Sequence, residues 1–161
     1  SYDIPYTLAN ELNMEMIGRI LSTRYLESIR EREGGSYGVG CAGGLNVYPV
    51  PTAYLLMQFD TDPEKQTKLM SIIHEEVNTI IENGPLAKDL NKEKESMLKD
   101  FQEDLEKNSY WDTALYMYYM YGINYIADYQ AAVENSTAET VQSTLKQLVG
   151  AGNMFEVVMS P

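Results

Sequence analysis

Between Ile29 and Gly44 the chain reads IREREGGSYGVGCAGG, and three chemistries fit that stretch at once. Gly34, Ser36 and Gly38 spell G-x-S-x-G, and Asp60 or Asp62 followed by His74 completes the chain order of a serine triad. Gly38, Gly40 and Gly43 spell the G-x-G-x-x-G of a dinucleotide site, with Asp60 downstream. Arg30 stands seven residues before Tyr37. A guanidinium fork and a phenol brought together are donors that can hold one carbonyl oxygen, or the oxyanion it becomes.

Which chemistry is available depends on the elements that carry these residues. Leu8, Leu12, Met16, Ile17, Ile20, Leu21 and Ile29 recur at three- and four-residue steps, which predicts one long amphipathic helix. Gly34-Gly35 is expected to end it. Tyr37–Tyr48 follows as a strand, with Tyr37, Val39 and Cys41 on one side and Gly38, Gly40 and Ala42 on the other. A face stripped in this way could let another backbone come close. Tyr48–Pro51 makes a turn, and Ala53–Asp60 a second strand pairing back on the first.

Asp62-Pro63 opens a helix striped by Leu69, Ile72, Ile73, Ile80 and Ile81, which Asn83-Gly84-Pro85 breaks. A charged helix from Leu86 to about Lys107 reads as a solvated face. One tyrosine-rich helical run extends from about Tyr110 to Tyr129, with packing against a sheet and a neighbouring domain as its expected use. Asn135-Ser136 caps a helix from about Thr137 to Val149, and Met154–Met159 reads as a closing strand. The order α-β-β-α-α-α-α-β predicts an α+β sandwich, an antiparallel sheet with helices packed on one face. Three strands are few for so many helices, and a first strand missing from the front would repair the count.

Helix, turn, strand is the reverse of the strand-to-helix elbow that a nucleophilic serine needs, and His74 falls off the apolar stripe of its helix. The dinucleotide pattern requires a helix after the glycines, and Leu45–Pro51 cannot supply one. Arg30 and Tyr37 remain. By residue type alone the plainer account has the advantage: Arg30 pairs with Glu31 or Glu33, and Tyr37 packs in the core. Cys41, flanked by small residues, reads as a small buried hydrophobe.

The stretch Ile29-Arg30-Glu31 … Gly35-Ser36-Tyr37-Gly38-Val39 resembles the second-half motif of the pitrilysin/insulinase-type zinc metallopeptidases. The resemblance continues in register through Asp60-Thr61-Asp62-Pro63, Asn83-Gly84-Pro85 and Asn108-Ser109-Tyr110-Trp111, then Val141-Gln142 and Asn153–Val158. It implies repeated α+β domains closing as two halves around a chamber, with zinc on an inverted H-x-x-E-H motif in the N-terminal part. It also implies that Arg30 and Tyr37 steady the substrate carbonyl opposite the metal. No other residue here inherits a catalytic role.

The single histidine lies in His74-Glu75-Glu76-Val77-Asn78, where the inverted motif would need glutamate at Val77 and histidine at Asn78. A catalytic zinc wants three protein ligands. The expectation is therefore a C-terminal, non-zinc-binding domain spanning residues 1–161, part of a larger peptidase and inactive alone. Its expected partners are a peptide or small-protein substrate, and a zinc domain from the same chain or a separate subunit. An inactive relative that binds peptides or a subunit is the other reading.

Twenty-four acidic against 12 basic side chains give a formal charge of −12 over 161 residues. That sign repels phosphate backbones and anionic lipid, so nucleic acid and membrane insertion are not expected. One cysteine allows no internal disulfide. The N-terminus shows no basic-then-apolar order of a signal peptide, although the resemblance suits a periplasmic or secreted setting.

Overall fold

The computed structural model describes residues 1–33 and 36–159; the side chains of residues 30–33, 36 and 37 lie outside the description. A short edge strand β1 (Tyr2–Asp3) leads into helix α1 (Leu8–Glu33), then a hairpin of β2 (Ser36–Asn46) and β3 (Thr52–Thr61). A single 3-10 turn, Pro63–Lys65, precedes five helices: α2 (Gln66–Asn83), α3 (Ala87–Asp104), α4 (Asn108–Tyr121), α5 (Tyr125–Asn135) and α6 (Ala138–Gly150). The sheet is antiparallel with order β1-β3-β2. Fold class and helix placement follow the expectation of an α+β sandwich.

Helix α1 organises the rest. The Thr7 hydroxyl accepts the Asn10 backbone N–H at 3.2 Å, satisfying one of the first-turn donors that have no partner inside a helix. All seven stripe residues from Leu8 to Ile29 are buried, joined by Met14 and Tyr25. The helix lies along β2, and α2, α3, α5 and α6 each touch it. Val39, Cys41, Leu45, Leu55, Met57 and Phe59 point from the sheet into the same core. The Tyr25 hydroxyl donates to the Met57 thioether at 2.9 Å, pinning helix to sheet.

The helices also dock on α1 through polar contacts that periodicity does not announce. Asn13 donates to the Thr140 carbonyl at 3.2 Å and to the Thr144 hydroxyl at 2.7 Å, holding α6. Arg24 pairs with buried Glu76 of α2, Nε to Oε2 at 3.0 Å, and the Ser28 hydroxyl donates to Glu76 Oε1. The Thr23 hydroxyl reaches Glu93 of α3 at 3.0 Å. Glu76 does lie on the apolar stripe, four residues from both Ile72 and Ile80. Asp89, Glu93, Met97 and Phe101 likewise share one buried line at four-residue spacing. So the face of α3 expected to be solvated has an inner side carrying two buried acids.

Three expectations are corrected. The tyrosine-rich run is two helices, because Gly122 (φ 70°) takes the left-handed conformation that ends α4. Its side chains divide: Tyr129 is buried and stacked on Phe101 with ring centroids 4.4 Å apart, while Trp111, Tyr116, Tyr118 and Tyr119 are exposed. The buried tyrosine thus packs on a helix, not on the sheet. Second, α6 is capped by Thr137, which with Thr140 makes a reciprocal capping box. Third, residues 152–159 form no strand. A strand needs a ladder partner, and among the described residues no strand pairs with this segment.

Candidate functional site

The site begins where α1 ends. Arg30 follows buried Ile29 in the last turn of α1, and Tyr37 is the second residue of β2. Glycines 34 and 35, expected to make the connection, lie outside the described residues, as do the side chains of Arg30, Ser36 and Tyr37. The backbone around Tyr37 is informative. Ser36 pairs with Thr61 and Gly38 with Asp60, so β2 holds one extra residue there, a bulge at Tyr37. Beyond it the register is regular from Val39–Phe59 to Asn46–Thr52. Bulges re-aim a side chain at a strand end, and they recur beside active sites.

Beyond the bulge, β2 presents a bare outer face. Gly38, Gly40 and Ala42 are exposed on the side away from the helices, as their alternation predicts. With Leu56, Gln58 and Asp60 of β3, and with Ser22 of α1 and the neighbouring Val39, Cys41 and Phe59, they line an open depression of about 450 Å³. The close backbone approach expected of this face occurs on the other one. Gly43, turned to the helices, meets the backbone of α1 at Met14 and Gly18. The outer face is instead an open shelf.

The rejected chemistries find no support in the geometry. Glycines 38–43 run on within β2 to Asn46 and then to β3, so no helix N-terminus faces them. His74 is half-exposed, and its Nε2 is 2.8 Å from Glu156 Oε1. Among the described residues, no group of three or more His, Cys, Asp or Glu is placed to hold a metal ion. No helix among them is long and apolar enough to cross a membrane.

Cys41 faces the core, and burial pushes its thiol up to about 12. The thiolate is the reactive form, so native Cys41 should alkylate at pH 8 at least ~100-fold more slowly than in the urea-unfolded chain. Equal rates, read by mass spectrometry of the iodoacetamide adduct, would contradict that burial.

Residues 1–97 match the model of the peptidase M16 inactive domain. The chain belongs to that family. The periplasmic protease PqqL from Escherichia coli shares the fold with a TM-score of 0.70 and 19% identity, over 91% of this chain and 16% of that one. The ferredoxin protease FusC, solved as a point mutant with Arabidopsis ferredoxin, is similar with a TM-score of 0.74 and 15% identity, over 91% and 16%. A peptidase M16 inactive domain from Pseudomonas fluorescens matches with a TM-score of 0.69 and 18% identity, over 84% and 33%. No curated protein matches the chain in sequence. The chain thus spans about a sixth of the length of the two proteases.

Proposed function

We propose that this domain is the non-zinc-binding, substrate-holding half of a zinc-dependent endopeptidase, with the metal supplied by an N-terminal domain of the parent chain or by a separate subunit. There a zinc ion would polarise the attacking water. Arg30 and Tyr37 would donate to the substrate carbonyl from the opposite wall, and the bare face of β2 would lie under the bound chain. The observation that carries this reading is the bulge in β2 at Tyr37, just past the end of the helix that bears Arg30. It interrupts the regular backbone register of the strand at this point.

The test uses the full-length protein. It should bind one zinc per chain, or per complex with its partner subunit, and cleave an extended fluorogenic peptide. The 161-residue chain should do neither. A full-length protein that captures peptides yet neither binds zinc nor cleaves, with or without its partner, would favour the binding-module reading.

A further inference from the structure

Helix α4 is packed along one narrow line. Ala114 and Met117 are its buried residues, and α5 is the element it chiefly touches. The rest of the helix turns rings and apolar side chains outward: Trp111, Leu115, Tyr116, Tyr118, Tyr119 and Met120 are each 43% to 80% exposed. Trp111, Ala114, Leu115 and Tyr118 follow one another at helical steps, and with Asn124, Ile126 and Ala127 they line a groove of about 290 Å³. A contiguous apolar surface of this kind marks an interaction site.

The polar groups of the groove limit what it can hold. The Trp111 indole N–H already donates to the Leu105 carbonyl at 2.8 Å, which fixes the ring. Asn124 Oδ1 accepts the Ala127 backbone N–H at 3.0 Å as the cap of α5. What remains is largely aromatic surface, and aromatic faces attract cations. Charge points the same way. From Asn108 to Leu145 the sequence holds Asp112, Asp128, Glu134 and Glu139, and no lysine, arginine or histidine. Asp112 is three residues from Leu115 on the surface of α4, and Asp128 follows Ala127 on α5. Both are exposed, and among the described residues neither carboxylate has a hydrogen bond or an ion pair. Lys107, just before α4, is tied to Asp104 at 2.7 Å. A second copy of the chain is a poor occupant, since its formal charge of −12 would meet its like.

We propose that the α4–α5 groove docks an arginine-bearing segment of another protein, with guanidinium groups stacked on Trp111 and Tyr118 and balanced by Asp112 and Asp128. Arginine fits better than lysine, because its planar and weakly hydrated fork can lie on a ring while it pairs with a carboxylate. The groove shares no residue with the shelf on β2 and β3, and docking there needs neither Arg30 nor Tyr37.

The test is fluorescence anisotropy on the full-length protein, with a metal chelator present so that binding is read apart from any cleavage. The probe is a fluorescein-labelled peptide of repeated Arg-Gly-Ser. It should bind, and the same peptide with citrulline for arginine should bind at least ~10-fold more weakly, since the charge is lost and the shape kept. Tyr118→Ala should weaken binding about 10-fold. Asp112→Asn combined with Asp128→Asn should weaken it about 5-fold and flatten its dependence on salt. Glu64→Gln with Glu82→Gln removes the same charge from exposed positions outside the groove, and should leave binding unchanged. An equal loss in that control pair would reduce the effect to overall charge and overturn the proposal. Equal affinity for the citrulline peptide would overturn it as well, leaving apolar docking alone. So would a full-length protein that binds neither peptide, because a neighbouring domain or a second copy then covers the groove.

Discussion

If the proposed function holds, Tyr37→Phe in the full-length protein is expected to lower kcat/KM by about 10²–10³, the usual loss when one oxyanion donor is removed. Arg30→Ala should cost at least as much. It removes a fixed positive charge as well as a donor, in a site that on this reading would exclude water once the two halves close. The loss should fall in kcat more than in KM, because the donors act on charge that develops in the transition state. Zinc content should stay at the wild-type level, since neither residue belongs to the metal-bearing part. Circular dichroism should be unchanged, which separates a lost donor from a lost fold. If both variants turn over substrate at the wild-type rate, the assignment of the pair fails. If zinc is lost as well, the substitutions have disturbed the docking of the two halves, and the role at the carbonyl is not theirs.

How much of this could be read from the residues depended on what each signal encodes. The stripe of α1 was legible because a buried helix must repeat apolar residues at its own period, and all seven expected positions are buried. The hairpin was legible through its alternation and its proline-rich turn. The two buried acids of α3 and Glu76 of α2 were not legible, because a carboxylate in a charged run looks solvated until its partner is known. Glu76 gains its meaning from Arg24, fifty-two positions away. The closing strand from Met154 is legible as a pattern but forms only where a partner lies alongside, a property of the assembled sheet. At the candidate site the residue types made a donor pair conceivable, and only the resemblance singled it out. The bulge at Tyr37 could not be foreseen, since it is a mismatch between two strands and neither strand alone contains it.

Gly43→Ala should destabilise the domain by at least about 3 kcal/mol, the upper part of the range for forcing extra volume into a packed core. Sequence periodicity placed the bare face of β2 at Gly38, Gly40 and Ala42, and that face is open. The constraint sits on the opposite side. A methyl at Gly43 would lie 2.0 Å from the Met14 carbonyl oxygen, and one at Gly18 would lie 2.4 Å from the Gly43 nitrogen. Both obstacles are backbone, so no rotamer change relieves them, and α1 must lift from the sheet that it covers. That displacement would loosen the contacts of Ile17, Leu21 and Tyr25 together, which are all within 1% of full burial. For a chain of this size the melting temperature should fall by roughly 10 °C. Gly40→Ala is the control: its added methyl meets nothing within 4 Å, so it should shift stability by no more than about 0.5 kcal/mol. The double variant at Gly18 and Gly43 should cost less than the sum of the two, because one displacement of α1 relieves both clashes. A Gly43→Ala protein that melts with the wild type would mean that α1 does not rest on β2 at this point, and the close helix-to-sheet contact that orders the core would have to be redrawn.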